Sequence, residues 1–151
     1  MDIYYMSQAL VEAKKAYSTY EVPVGAVIVY DGKIIARGYN KKEGLKNPLA
    51  HAELMAINQA AEYLGEWRLS GCTMYVTLEP CAMCAGAIVN SRIDRLVIGA
   101  RDLRMGSAGT VEDITNHEKF NHRVLVEFGL LEEECSSILS EFFKELRNNK
   151  E

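Results

Sequence analysis

The chain has few of the residues that punctuate or cross-link a polypeptide: three prolines, one tryptophan and four cysteines among 151 residues. It has no low-complexity run, and with 48% hydrophobic and 25% charged residues it is not a disordered chain. No stretch approaches the roughly 20 apolar residues that span a bilayer, so no membrane partner is expected. The opening MDIYYMSQALVEAKKAY has an acid at position 2 and lacks the charged-then-apolar order of a secretory signal. A cytoplasmic location with reduced cysteines is the expectation. The cysteines do not suggest a disulfide framework either, since Cys81 and Cys84 sit together while Cys72 and Cys135 stand alone. Positive charge is not in excess: 17 Lys+Arg against 21 Asp+Glu leave a net charge of −4. That balance excludes a protein that coats nucleic acid nonspecifically, but not a local basic rim around one site.

What is present suffices for one hydrophobic core, so residues 1–151 are read as a single domain. Ile3, Met6, Leu10, Ala13 and Tyr17 recur at steps of three and four, predicting a helix over 2–18. Pro23 opens the β-branched run VPVGAVIVY, and Asp31-Gly32 predicts a hairpin with Lys33 to Tyr39 returning antiparallel. Asn40 to Leu49 reads as a polar loop, and HAELMAINQAAEYLG as a helix ending at Gly65. Cys72 to Leu78 reads as a buried strand, Pro80 to Val89 as a helix of small residues, and Arg95 to Ala100 as a strand. Residues 101–122 are polar and too long for a simple connector, as functional loops often are. Arg123 to Phe128 is a further strand. Leu131, Cys135, Ile138, Leu139, Phe142, Phe143 and Leu146 form the stripe of a last helix. Glu132, Glu133 and Glu134 begin that helix and Lys144, Arg147 and Lys150 end it, which suits the helix dipole. The order α-β-β-α-β-α-β-β-α predicts an α/β fold, a mixed sheet with helices on both faces.

Chemistry concentrates in His51-Ala52-Glu53 and Pro80-Cys81-Ala82-Met83-Cys84. Cysteines three apart at a helix start place both sulfurs on one face. The positive end of the helix there favours thiolate, the form that binds a metal. His51, also at a helix start, can supply a third ligand. One nitrogen and two soft sulfurs suit zinc, and three protein ligands leave its fourth position for water, as in catalytic sites. Glu53 is then placed to carry protons without entering the metal shell. Taken alone, CxxC is equally compatible with a redox pair or two buried cysteines, and HxE with an exposed helix start. The joint pattern favours a metal. For a fourth ligand only Cys72, Cys135, His117 and His122 remain; both cysteines fall on core positions and neither histidine has ligand spacing.

HxE followed by PCxxC resembles the zinc-dependent nucleobase deaminases. PVGAVIV, GYN, NPLAHAELMAI, MYVTLEPCAMCAGAIVNSRI, LVIGARD and NHRV further resemble the bacterial tRNA-specific adenosine deaminases, over about Ala9 to Leu146. The resemblance implies a three-layer α/β/α cytidine deaminase-like fold on a mixed five-stranded sheet. It also implies one Zn2+ per subunit on His51, Cys81 and Cys84, with Glu53 as the catalytic proton carrier in converting adenosine to inosine. Asn40 matches an asparagine that hydrogen-bonds the base, although a turn-forming role also explains it. The Ala52 amide and Pro80 carbonyl match the pocket wall. Deaminases of free bases share the metal motif, so the substrate class rests on other residues. Arg101, Asp102, Arg104, Asn121, His122 and Arg123 resemble loops around the mouth of the tRNA enzymes. Phe142 and Phe143 lie on the last helix, which resembles the family element that packs near extruded anticodon nucleotides, where a stacked base is worth roughly 1–3 kcal/mol. Adjacent on a helix, the two rings point different ways, so one of them is core. Arg92, near a helix end, is better explained as a cap than as an RNA contact. The implied partners are a tRNA anticodon stem-loop and a second subunit in a homodimer; DNA is not expected as the natural substrate.

Overall fold

In the computed structural model, which describes residues 1–149, helices flank both faces of one five-stranded sheet. The elements are α1 (Asp2–Ser18), β1 (Gly25–Tyr30), β2 (Lys33–Tyr39), α2 (Lys42–Leu45), α3 (Ala52–Leu64), β3 (Thr73–Leu78), α4 (Ala82–Asn90), β4 (Arg95–Ala100), β5 (Leu125–Phe128) and α5 (Glu132–Asn148). Strand order is β2-β1-β3-β4-β5. β1 runs antiparallel to both neighbours, while β3, β4 and β5 are mutually parallel, so the sheet is mixed as predicted. Alternation along the strands separates two apolar layers. Ala26, Ile28, Met74, Val76, Leu96 and Ile98 join the core beneath α3 and α4, and Val27, Val29, Tyr75 and Val97 pack beneath α1 and α5.

The hairpin forms at Asp31-Gly32, whose φ values of 51° and 72° are those of a type I′ turn. A bulge follows Ile28, which pairs with Ala36 while Val29 pairs with Ile34, leaving Ile35 as the extra residue. Three differences from expectation bear on the site and its neighbours. The 40–49 loop contains α2, because the buried Glu21 carboxylate accepts the N–H groups of Glu43 (2.9 Å) and Gly44 (2.7 Å), a partner distant in sequence. β5 begins at Leu125 rather than Arg123, since its ladder starts where Arg95 pairs with Leu125. α4 begins at Ala82, after Pro80 and with Cys81 as its N-cap. At its end the Arg92 guanidinium donates to the Val89 and Asn90 carbonyls (both 3.1 Å), the capping role expected of it. Lys150 lies outside the described residues.

Gly25 lets α1 touch the sheet. A Cβ there would lie 2.0 Å from the Ala9 carbonyl oxygen and 2.4 Å from the Ala13 nitrogen, both backbone atoms of α1. Because neither can swing aside, Gly25→Ala is expected to cost about 3 kcal/mol in denaturant unfolding, the upper range of overpacking. The start of α1 is tied to β3 and β4 through Asp2, which accepts from the Arg95 guanidinium (2.7 and 3.0 Å) and the Tyr75 hydroxyl (2.5 Å). Those hydrogen bonds, Arg95 first, hold the Asp2 carboxyl down at about 2, against an ordinary 3.8. A carboxyl lowered on folding stabilises above its unfolded pKa and stops doing so as pH falls through the folded one. With the Asp2 side chain 44% exposed, the contribution is discounted to about 1 kcal/mol or less. Asp2→Asn is therefore expected to melt a few degrees below the parent at pH 7 and to match it near pH 2.

Candidate active site

β1 being antiparallel, the C-terminal ends of β2, β3, β4 and β5 and the start of β1 share one rim of the sheet. The segments leaving β2 and β3 there lead into α3 and α4, so both helix N-termini converge on that rim, where ligands of α/β sheets collect. His51 is the N-cap of α3 and Cys81 the N-cap of α4, both in extended backbone conformation. His51 Nδ1 lies 3.7 Å from Cys81 Sγ and 3.5 Å from Cys84 Sγ. A tetrahedral zinc ion about 2.3 Å from sulfur and about 2.0–2.1 Å from nitrogen would separate such ligand atoms by about 3.6 Å. The donor set is thus spaced for that ion. Among the described residues this is the one group of three such donors. The Cys81 thiol is pulled down to about 5, first by a hydrogen bond from Cys84, then by the backbone N–H groups of Cys84 and Met83 and by His51; burial opposes them. Cys84, completely buried, is shifted the other way, by that same hydrogen bond first and then by burial.

Glu53, in the first turn of α3, is only 4% exposed. Burial pushes its carboxyl up to about 7, helped by the charge of Cys81 and opposed by hydrogen bonds from its own backbone and from Cys84. It lines a cavity of about 470 Å³ with His51, Cys81, Asn40 and Glu79. Asn40 is locked in place: its Oδ1 accepts the Ala52 N–H (2.8 Å) and its Nδ2 donates to the Val22 carbonyl (3.1 Å). The Ala52 amide is therefore spent on orienting Asn40 rather than free in the pocket wall. The Pro80 carbonyl accepts the Ser107 N–H (2.9 Å), which leaves it one lone pair.

The structure sorts the remaining candidates. Asp102 and Phe142 line the cavity. Phe142 is buried, edge-on to Tyr17 at 5.6 Å, whereas Phe143 is 40% exposed and shares a neighbouring groove with Arg104, Leu146 and Arg147. Arg101 lies over the Phe128 ring (3.8 Å) and donates to Thr110 Oγ1 (3.0 Å). Asn121, His122 and Arg123 do not border the cavity. Asn121 edges a separate cleft beside α4, and His122 Nε2 sits 2.7 Å from the Ile93 carbonyl oxygen, the position of a loop anchor. Burial pushes the thiols of Cys72 and Cys135 up to about 11 and 12, and both lie in the core, outside the donor group. Sequence reasoning missed Glu21 and Glu79, buried acids that organise the two segments beside the cavity. Their one visible trace is a lone acid beside Val22-Pro23 and beside Pro80.

A cytidine deaminase-like sheet with a His/Cys/Cys donor set at its rim and a buried glutamate in the adjoining cavity defines a deaminase of the metal-binding class. The family model of the MafB19-like deaminases matches residues 2–147. The tRNA-specific adenosine deaminase of Bacillus subtilis (strain 168) is 52% identical over 149 residues, covering 99% of this chain and 92% of the relative. That of Aquifex aeolicus (strain VF5) is 49% identical over 146 residues, covering 97% and 96%. A structure from work on A-to-I editing by tRNA:A34 deaminases superposes with a TM-score of 0.87 at 45% identity, over 90% of this chain and 99% of that one. The guanine deaminase from Nitrosomonas europaea superposes at 0.75 with 24% identity, over 91% and 82%, and shares the fold alone. The chain belongs to the MafB19-like deaminase family, alongside the bacterial tRNA-specific adenosine deaminases.

Proposed function

We propose that this enzyme hydrolyses the wobble adenosine of a tRNA anticodon to inosine, with one zinc ion per subunit held by His51, Cys81 and Cys84. The observation that carries the reading is the buried Glu53 carboxyl lining the same cavity as His51 and Cys81 of that donor set. Zinc, when bound, supplies a Lewis acid that lowers the pKa of water to about 7. Glu53 does the proton work: it takes a proton from water and gives it to N1 of adenine, then moves a second proton to the departing 6-amino group. Water's oxygen ends on C6, nitrogen leaves as ammonia, and no redox partner is needed. Burial keeps Glu53 in reach of both protonation states near neutral pH, as a proton carrier requires. Asn40, pinned by Val22 and Ala52, keeps one Nδ2 hydrogen for the base, and a pocket built on hydrogen bonds rejects a wrong base well.

The RNA reading draws on the relatives and on the groove beside the cavity. There exposed Phe143 shares one groove with Arg104 and Arg147, an aromatic face with phosphate-binding charge nearby. An anticodon loop suits such a site because its bases are already unpaired. The enzyme would work in the cytoplasm as a homodimer on RNA rather than DNA; no helix among the described residues is long and apolar enough to cross a membrane. Incubation with an anticodon stem-loop beside free adenosine, cytidine and guanine tests the reading. Inosine formed in the stem-loop alone supports it. Turnover of a free base or nucleoside with the stem-loop untouched would replace it with a small-molecule deaminase.

A further inference from the structure

Glu79, between β3 and Cys81, is nearly inaccessible to solvent, and among the described residues no ion pair involves it. Its two oxygens are instead filled by one loop. Oε1 accepts the Asp102 N–H (3.1 Å) and the Thr110 hydroxyl (2.5 Å); Oε2 accepts the N–H groups of Ala108 (3.0 Å) and Thr110 (3.1 Å). The loop closes directly on the carboxylate, since a Cβ on Gly106 would stand 2.5 Å from Glu79 Oε1. The same loop is tied to the next residue by the Ser107 N–H on the Pro80 carbonyl. Asp102 and Met105 from this loop form part of the cavity wall, and Arg104 faces the groove of Phe143. Holding residues 102–110 in one shape costs backbone entropy at each residue, and four hydrogen bonds to one buried acceptor offset that cost.

We propose that Glu79 is a positioning residue for polynucleotide substrates: it preforms the side of the mouth on which nucleotides flanking the reacting base rest. The proposal rests on the RNA reading of the site. The loop reaches the cavity wall through Asp102 and Met105 and the groove of Phe143 through Arg104, and it supplies neither a metal donor nor Glu53, so Glu79 acts on the affinity of the longer substrate and not on the chemical step.

The test compares the metal-loaded wild type with Glu79→Gln and Thr110→Val. Glutamine keeps the size but turns an NH2 toward backbone donors; valine keeps the shape of threonine and removes two hydrogen bonds, the one given to Glu79 and the one taken from Arg101. For Glu79→Gln, KM on the stem-loop is expected to rise about tenfold with kcat within about threefold, as when binding rather than transition-state contacts is lost. Metal content should stay at one per chain, and amide exchange at Asp102, Ala108 and Thr110 should quicken. Thr110→Val should shift KM and exchange in the same direction by less. Unchanged KM in both variants, a fall in kcat at constant KM, or unchanged amide exchange would each overturn the proposal. Failure of the wild type to act on the stem-loop would instead overturn the RNA reading, leaving the exchange data to decide whether Glu79 holds the loop.

Discussion

Replacing Glu53 with glutamine is expected to cut deamination about 100- to 10,000-fold, the range of a positioned acid–base group, with metal content unchanged. Size and shape are retained and only the exchangeable proton is lost. The melting temperature is expected to hold or rise. Desolvation, the main influence on this carboxyl, makes its charged form costly in the folded state, and an uncharged amide avoids that cost. Loss of turnover with a stable fold is the mark of a group kept for chemistry, at the expense of stability. Steady-state turnover of the stem-loop, metal analysis and a thermal melt on the same preparation check all three points. Near-normal turnover would remove Glu53 from the proton path and leave solvent as the carrier.

Chelation, or Cys84→Ala, should be comparably severe but different in kind. Cys84 is completely buried, and its sulfur lies 3.5 Å from His51 Nδ1. Losing it removes one of the three proposed metal donors, which should weaken binding by more than the roughly 10–100-fold cost of outer contacts. Metal bound per chain should drop toward zero on dialysis, and turnover with it. Because a metal that binds only the folded state stabilises it, stripping the wild type should lower its melting temperature, by about 4 kcal/mol in free energy if the free metal was a thousand times its dissociation constant. Adding zinc back should restore both in the wild type and neither in the variant. Full activity in a metal-free preparation would refute the assignment, and a reversible Cys81–Cys84 disulfide in such material would point to redox chemistry.

Much of this was readable before any coordinates, and for identifiable reasons. The hairpin follows from Asp31-Gly32, because few residue pairs tolerate two consecutive positive φ values. The unbroken burial of β1 from Gly25 to Val29 follows from a continuous apolar, largely β-branched run. The donor trio was legible since two of its side chains lie within one helical turn and the third caps another helix. What stayed hidden depends on partners far apart in the chain. Glu21 starts α2 by accepting from residues 22 and 23 positions away, and Glu79 gathers a loop 23 to 31 positions downstream. Neither contact leaves a local pattern. The Ala52 amide shows the same limit: chain position places it by the pocket, but only geometry reveals that Asn40 already occupies it. Which of Phe142 and Phe143 is core could not be decided from a helical stripe that includes both; Tyr17 of α1, stacked edge-on against Phe142, decides it.

The sheet divides labour between its ends. Every group assigned to the reaction belongs to the margin where β3 and β4 finish, while the Asp31-Gly32 turn sits at the other margin, beside Tyr30 and Lys33. Six-residue strands at about 3.3 Å per residue put roughly 20 Å between the two. That turn is thus a natural handle: a dye, an affinity peptide or a surface tether attached there leaves the entrance unobstructed for a bulky folded RNA.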